Sequence, residues 1–253
     1  MSVLEAKNLG IAFGGLRALE DVHFVINTNE IVGLIGPNGA GKTTVFNLLT
    51  DVYMPTEGVI ELDGNSLVGK KTYQITQNGI ARTFQNIRLF KNVSVIDNVK
   101  IAMNSQMKYS VFAGIFRFPS YRKEEKAVSK RAHELLKVFG LDEKAHELAK
   151  NLPYGQQRKL EIARALATNP KVLLLDEPAA GMNPTETLEL LETIKLIRDR
   201  FQIGILLIEH DMNFVMGICE RIVVLDYGRI IAEGSPEDVR KDPKVIAAYL
   251  GGE

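Results

Sequence analysis

The stretch Ile31-Val32-Gly33-Leu34-Ile35-Gly36-Pro37-Asn38-Gly39-Ala40-Gly41-Lys42-Thr43 decides the fold. Its first five residues are continuously apolar, which is the pattern of a parallel strand buried on both faces. The next eight fit G-x-x-x-x-G-K-[ST], and a helix is expected over Thr43 to Thr50 directly after them. The chemistry requires these residue types. Glycines let the backbone curl until successive N–H groups converge on phosphate oxygens, and the helix N-terminus adds partial positive charge. Gly36, Pro37, Asn38, Gly39, Ala40, Gly41, Lys42, Thr43 and Thr44 are therefore the expected phosphate cradle. Lys42 is expected to bind β- and γ-phosphates and Thr43 to coordinate Mg²⁺.

Two further apolar runs end in acids. Lys171-Val172-Leu173-Leu174-Leu175-Asp176-Glu177 is one, and Gly204-Ile205-Leu206-Leu207-Ile208-Glu209-His210-Asp211 is the other. In a parallel α/β sheet, ligands gather beyond the carboxyl ends of the strands, where the phosphate loop also opens. This places Asp176 to hold Mg²⁺ through its water shell, and Glu177 to orient or deprotonate the attacking water. His210, at the end of the neighbouring strand, is placed to contact the γ-phosphate. Nearer the N-terminus, Val22, Phe24 and Ile26 alternate with more polar neighbours, and Val59 to Asp63 ends at Gly64, so a partly exposed sheet is expected there. From about Ser94 to Thr168 the spacing turns helical, with Ala132, Leu135, Leu136 and Phe139 in one stripe. After Pro170 strand, helix and strand alternate, with a helix starting near Pro184, which again means a parallel sheet.

Composition bounds the remaining possibilities. The chain has 253 residues, 45% hydrophobic and 25% charged, with 31 Lys+Arg against 31 Asp+Glu. Zero net charge supplies no field for a nucleic-acid backbone, so no nucleic-acid partner is expected. The longest run free of Asp, Glu, Lys and Arg is Ile31 to Gly41, too short for a bilayer span of about 20 apolar residues. Glu5 and Lys7 interrupt the N-terminus before an apolar h-region forms, so no secretory signal is expected. With one cysteine, Cys219, and four histidines, neither an internal disulfide nor a zinc cluster is expected.

These residues resemble the ATP-binding cassette family, the nucleotide-hydrolysing subunits of membrane transporters, from end to end. The most diagnostic element is Leu152-Pro153-Tyr154-Gly155-Gln156 followed by Gln157-Arg158-Lys159-Leu160-Glu161-Ile162-Ala163-Arg164-Ala165-Leu166, similar to the signature LSGGQ and its helix. The resemblance implies an α/β fold: a phosphate-loop, RecA-like parallel-sheet core with an antiparallel β subdomain, spanning 1–87 and 166–253, and a helical subdomain inserted at 88–165. It implies ATP and Mg²⁺ as cofactors. Phe13 looks like the aromatic that stacks on adenine, and Gln85 like the loop glutamine that contacts Mg²⁺ and the attacking water. Pro153, Tyr154, Gly155 and Gln156 look like the segment that closes over the ATP of a second cassette, paired head to tail as a homodimer or heterodimer. The run Ala180-Gly181-Met182-Asn183 looks like the loop that crosses to that second cassette. Two positions depart from the pattern. Pro153 replaces the signature serine, leaving backbone donors and the helix dipole, and Asn183 stands where the family usually has aspartate.

Within the family, Phe13-Gly14-Gly15-Leu16, Ala81-Arg82-Thr83-Phe84-Gln85-Asn86, Pro178 to Pro184 and Ile208-Glu209-His210-Asp211-Met212 look most like the ATPase subunits of branched-chain amino-acid uptake systems. That implies a peripheral subunit on the cytoplasmic face of the inner membrane. Its implied partners are integral permease subunits and, indirectly, a solute-binding protein. A urea-uptake or lipopolysaccharide-export ATPase shares nearly every motif, and a non-transport phosphate-loop ATPase is the more distant alternative. An insertion at about 104–126, with Tyr109, Val111, Phe112, Ile115, Phe116 and Phe118 ahead of Arg122 and Lys123, is expected near the membrane partner.

Overall fold

The computed structural model describes residues 2–103 and 119–250, without the side chains of residues 2, 119–123 and 250. The apolar stretch from Tyr109 to Phe118 expected near the membrane partner therefore lies outside the described residues. The chain divides into two compact units, Met1–Gln85 with Lys171–Glu253, and Asn86–Pro170.

The first unit opens with β1 (Ser2–Phe13) and β2 (Leu16–Asn27), antiparallel across the tight Gly14-Gly15 turn. Alternation along β2 buries Val22, Phe24 and Ile26 and leaves the intervening residues wetter. With β4 (Glu57–Leu62) and β5 (Asn65–Ser66) they form a four-stranded antiparallel sheet in the order β2-β1-β4-β5. The second sheet contains β3 (Ile31–Ile35), buried at every position, and β6 (Ile80–Arg82). It continues with β7 (Val172–Asp176), β8 (Gly204–Ile208), β9 (Arg221–Asp226) and β10 (Arg229–Gly234), in the order β10-β9-β3-β8-β7-β6. Every pairing is parallel except the β9–β10 edge.

Because β3, β7 and β8 are parallel neighbours, their carboxyl ends lie along one edge. Each fully buried Ile or Leu in them contributes roughly 1.5–3 kcal/mol, which holds that edge in register. Gly33 is required inside β3: a Cβ there would sit 2.9 Å from Cys219 Sγ, so the strand could not keep its close packing under the cysteine and Val215. Helix α1 (Lys42–Leu49) follows the phosphate loop and buries Val45, Phe46, Leu48 and Leu49. Helix α2 (Thr72–Asn78) leads into β6.

The second unit carries α3 (Val95–Met103), α4 (Pro119–Val138) and α5 (Tyr154–Leu166), with a 3₁₀ turn at Ala149–Asn151. A polar network fixes its interior. Buried Asn98 accepts the Phe90 N–H at 3.0 Å and donates to the Phe90 carbonyl at 3.1 Å. Buried Arg158 pairs with Glu161 at 2.7 Å, and Glu161 also accepts the Arg88 N–H at 3.0 Å. Burial pushes the Glu161 carboxyl up, against the pull of those partners. Back in the first unit, α6 (Pro184–Phe201), α7 (Met212–Ile218), α8 (Pro236–Lys241) and α9 (Pro243–Leu250) complete the chain.

Candidate functional site

The phosphate loop runs from the end of β3 to the start of α1. Gly36 is obligatory there, because a Cβ would run into the Leu225 carbonyl of β9. Gly41 is the N-cap of α1 and supplies no side-chain cap, and the first turn carries no acidic residue. The N–H groups of that turn are thus left for an anion, as the sequence motif requires. Lys42 Nζ curls back along the loop and donates to the carbonyls of Gly36 at 2.7 Å and Pro37 at 2.9 Å. Burial pulls its ammonium pKa below the usual lysine range, and the charge of Glu177 opposes that shift. Thr43 and Thr44 occupy the first turn, with Thr43 exposed. The outer face of the loop, Gly36 to Ala40, lines a cavity of about 950 Å³ together with His210, Asp226 and Tyr227. Tyr249 of α9 lines the same cavity, and burial pushes its phenol up.

The strand ends bring the candidate acids to this edge. Asp176 is the last residue of β7, and Glu177 follows in a left-handed conformation (φ 45°) with its N–H donating to the Ile208 carbonyl at 2.9 Å. A non-glycine residue held there stores strain of about 1 kcal/mol or more. Gln85 Nε2 donates to Glu177 Oε2 at 2.6 Å. His210 Nδ1 lies 3.9 Å from Glu177 Oε1, and its ring is largely exposed. The structure therefore brings Gln85, Glu177 and His210 into one cluster.

Two residues that carried no role in the sequence reading organise this edge. Glu209 is buried and accepts the Ala179 N–H at 2.9 Å and the His210 N–H at 3.3 Å, tying the loop after β7 to the loop after β8. Burial pushes its carboxyl up. Arg82, at the end of β6, pairs with Asp176 at 2.8 Å. The sequence carried no local signal for this pair, because β6 is three residues long and shows no period.

Phe13, at the end of β1, is partly exposed and stands edge-to-face to Tyr53, ring centroids 5.1 Å apart. Asn183 is the N-cap of α6 in a reciprocal capping box: its side chain accepts the Glu186 N–H at 3.0 Å, and Glu186 accepts the Asn183 N–H at 3.1 Å. Pro153, Tyr154, Gly155 and Gln156 belong to the second unit. Pro153 is the N-cap of α5 without a side-chain cap, its carbonyl accepting the Gln157 N–H at 2.9 Å. Lys144 donates to Gln156 Oε1 at 2.9 Å.

Residues 19–180 match the family described as ABC transporter, and residues 229–253 match the segment described as branched-chain amino acid ATP-binding cassette transporter. The chain is 49% identical over 249 residues to the high-affinity branched-chain amino acid transport ATP-binding protein LivG of Escherichia coli K12, covering 98% of each. Among solved structures it is similar to the ADP conformation of MJ1267, an ATP-binding cassette of an ABC transporter, with TM-score 0.86, 31% identity and full coverage of both chains. It is also similar to the dimeric post-hydrolysis state of the ATP-binding cassette MJ0796 bound to ADP and Pi, with TM-score 0.75, 25% identity, and coverage of 92% and 98%. A nucleotide-binding loop, a paired set of acids beyond parallel strands and a match across most of the sequence converge on one conclusion: the chain belongs to the ABC transporter family, as an ATP-hydrolysing cassette.

Proposed function

We propose that this chain binds ATP with Mg²⁺ at the phosphate loop and hydrolyses it, with Glu177 as the base, to power uptake of branched-chain amino acids. The observation that carries the reading is the cluster of Gln85, Glu177 and His210 at the edge where the phosphate loop opens. Gln85 holds one Glu177 oxygen, which leaves the other to take a proton from an attacking water. His210, on the rim of the loop cavity, is positioned to donate to the γ-phosphate. Lys42 exchanges its two backbone carbonyls for phosphate oxygens, which are stronger acceptors for a charged donor.

The donors suit the ion. Thr43 offers a hydroxyl, Gln85 an amide oxygen and Asp176 one carboxylate, and Mg²⁺ takes one or two carboxylates with substrate phosphates rather than an all-protein cage. When bound, the ion would neutralise charge that develops during transfer. Phe13, with Tyr53 against its ring, offers its face to adenine.

A second cassette, paired head to tail, would supply the opposing Pro153-Tyr154-Gly155-Gln156 backbone at the N-terminus of its own helix. The dimeric form of MJ0796 supports that partner. Among the described residues no helix is long and apolar enough to cross a membrane. In this reading separate permease subunits provide the path and this chain sits peripherally on their cytoplasmic face, which its likeness to a transport ATP-binding protein supports. A solute-binding protein delivers the cargo. Similarity to LivG and the match over 229–253 favour branched-chain amino acids.

Proteoliposomes holding this chain, its permease pair and the solute-binding protein test the reading. ATP-dependent accumulation of leucine, isoleucine and valine is expected, and it should stop with Lys42→Ala. Accumulation of urea in place of leucine would overturn the choice of cargo.

A further inference from the structure

We propose that Arg82 is a positioning residue that clamps one oxygen of Asp176 and so presents the other to the divalent cation. The inference rests on the assignment of Asp176 to Mg²⁺ made above. Arg82 is the last residue of the edge strand β6, aligned in parallel with Leu174 of β7, two residues before Asp176. From there Nη2 donates to Asp176 Oδ2 at 2.8 Å, with the two side chains only 8% and 10% exposed. Nη1 donates to Asn47 Oδ1 of α1 at 2.8 Å. The guanidinium lies within cation–π distance of two rings, with its carbon 5.3 Å from the Phe46 centroid and 5.2 Å from that of Phe84.

Such an arrangement fixes more than charge. The two rings confine the guanidinium, and its hydrogen bond to Asn47 anchors the second arm of the fork. With the donor anchored in this way, Oδ2 stays engaged and rotation of the carboxylate is restricted. Asp176 Oδ1 has no protein hydrogen bond among the described residues, so it remains as the oxygen that meets the cation or its water shell. Arg82 thus joins three parts of the site: the helix behind the phosphate loop through Phe46 and Asn47, the metal carboxylate, and the Gln85 loop through Phe84. Outer partners that orient a ligating carboxylate typically govern 10- to 100-fold in metal affinity. A lysine keeps the charge but lacks the planar fork that reaches Asn47 and Asp176 together, so it should substitute only in part.

The test titrates Mg²⁺ into the full-length chain with a fluorescent, slowly hydrolysed ATP analogue, after measuring analogue affinity in excess EDTA. For Arg82→Met the Mg²⁺ concentration at half-effect should rise about tenfold or more, while the EDTA affinity stays within about twofold of the parent. Arg82→Lys should fall between, and Asn47→Ala, which withdraws only the second anchor, should shift the titration in the same direction by less. If Arg82→Met does not fold, the lysine and Asn47 variants decide, and a parental Mg²⁺ titration in both overturns the clamp. Equal weakening with and without Mg²⁺ also overturns it, since that is a general packing defect. Asp176→Asn separates the two layers: if it keeps the parental Mg²⁺ response, the metal assignment itself fails. If it loses the response while Arg82→Met keeps it, only the clamp fails.

Discussion

Lys42 and His210 both face the phosphate loop but are held differently, and they should fail differently. Lys42 is half-buried and donates to two carbonyls of the phosphate loop, so its charge lies within the cradle itself. His210 is largely exposed at the cavity rim beside Glu177. Lys42→Ala should weaken both ATP and ADP, each by about tenfold or more, the value of a charged hydrogen bond. His210→Ala should lower turnover and leave ADP affinity close to the parent. Calorimetric titration of both nucleotides into both variants checks the contrast, and equal loss of ADP binding would make His210 structural. At this scale the sequence was legible where a residue's place follows from its neighbours in the chain, as with Lys42 after Gly41 at the start of α1 or Glu177 after Asp176 at the end of β7. It was not legible where the partner is distant. Arg82 meets Asp176 across 94 positions and Asn47 across 35, and nothing within Ala81 to Asn86 announces either. Glu209 is similar: its position after β8 was plain, but its two backbone donors emerge only when the β7 and β8 loops meet.

Among the elements, the start of α6 shows how local chemistry sets a boundary. Asn183-Pro184 reads as N-cap and first helical residue, and both stand there, completed by Glu186 in a capping box. Asn183 thus has a structural task at the position where aspartate is usual, and either side chain can perform it. Asn183→Ala should cost about 1 kcal/mol in urea denaturation and Asn183→Asp almost nothing. An alanine variant as stable as the parent would show that the cap contributes nothing. The strands β3, β7 and β8 were legible because five consecutive buried positions leave an uninterrupted apolar run. By contrast β6 was hidden, since three residues have no measurable period and its strand character comes from pairing with β7. The place of Tyr249 of α9 in the cavity beside the phosphate loop was likewise beyond reach, because the cavity joins residues from opposite ends of the unit's sequence.

Taken as a whole molecule, the chain combines an α/β unit that gathers phosphate loop, acids and histidine with a helical unit that carries the signature segment at a helix N-terminus. That division was visible in the switch of hydrophobic period after Ser94 and back after Pro170. Its internal bracing was not visible: the buried Arg158–Glu161 pair and the Asn98 network use polar residues that sequence alone assigns to the surface. In the proposed reaction Glu177 is the base, oriented by Gln85, and Asp176 is the metal-binding neighbour. Glu177→Gln keeps the shape and removes the base, so it isolates that claim. The direct measurement is phosphate release at saturating Mg²⁺ and ATP by the parent and by Glu177→Gln, with nucleotide binding recorded for each. The account predicts a fall in turnover of at least about 100-fold with binding retained. A Glu177→Gln variant that releases phosphate at the parental rate would contradict it.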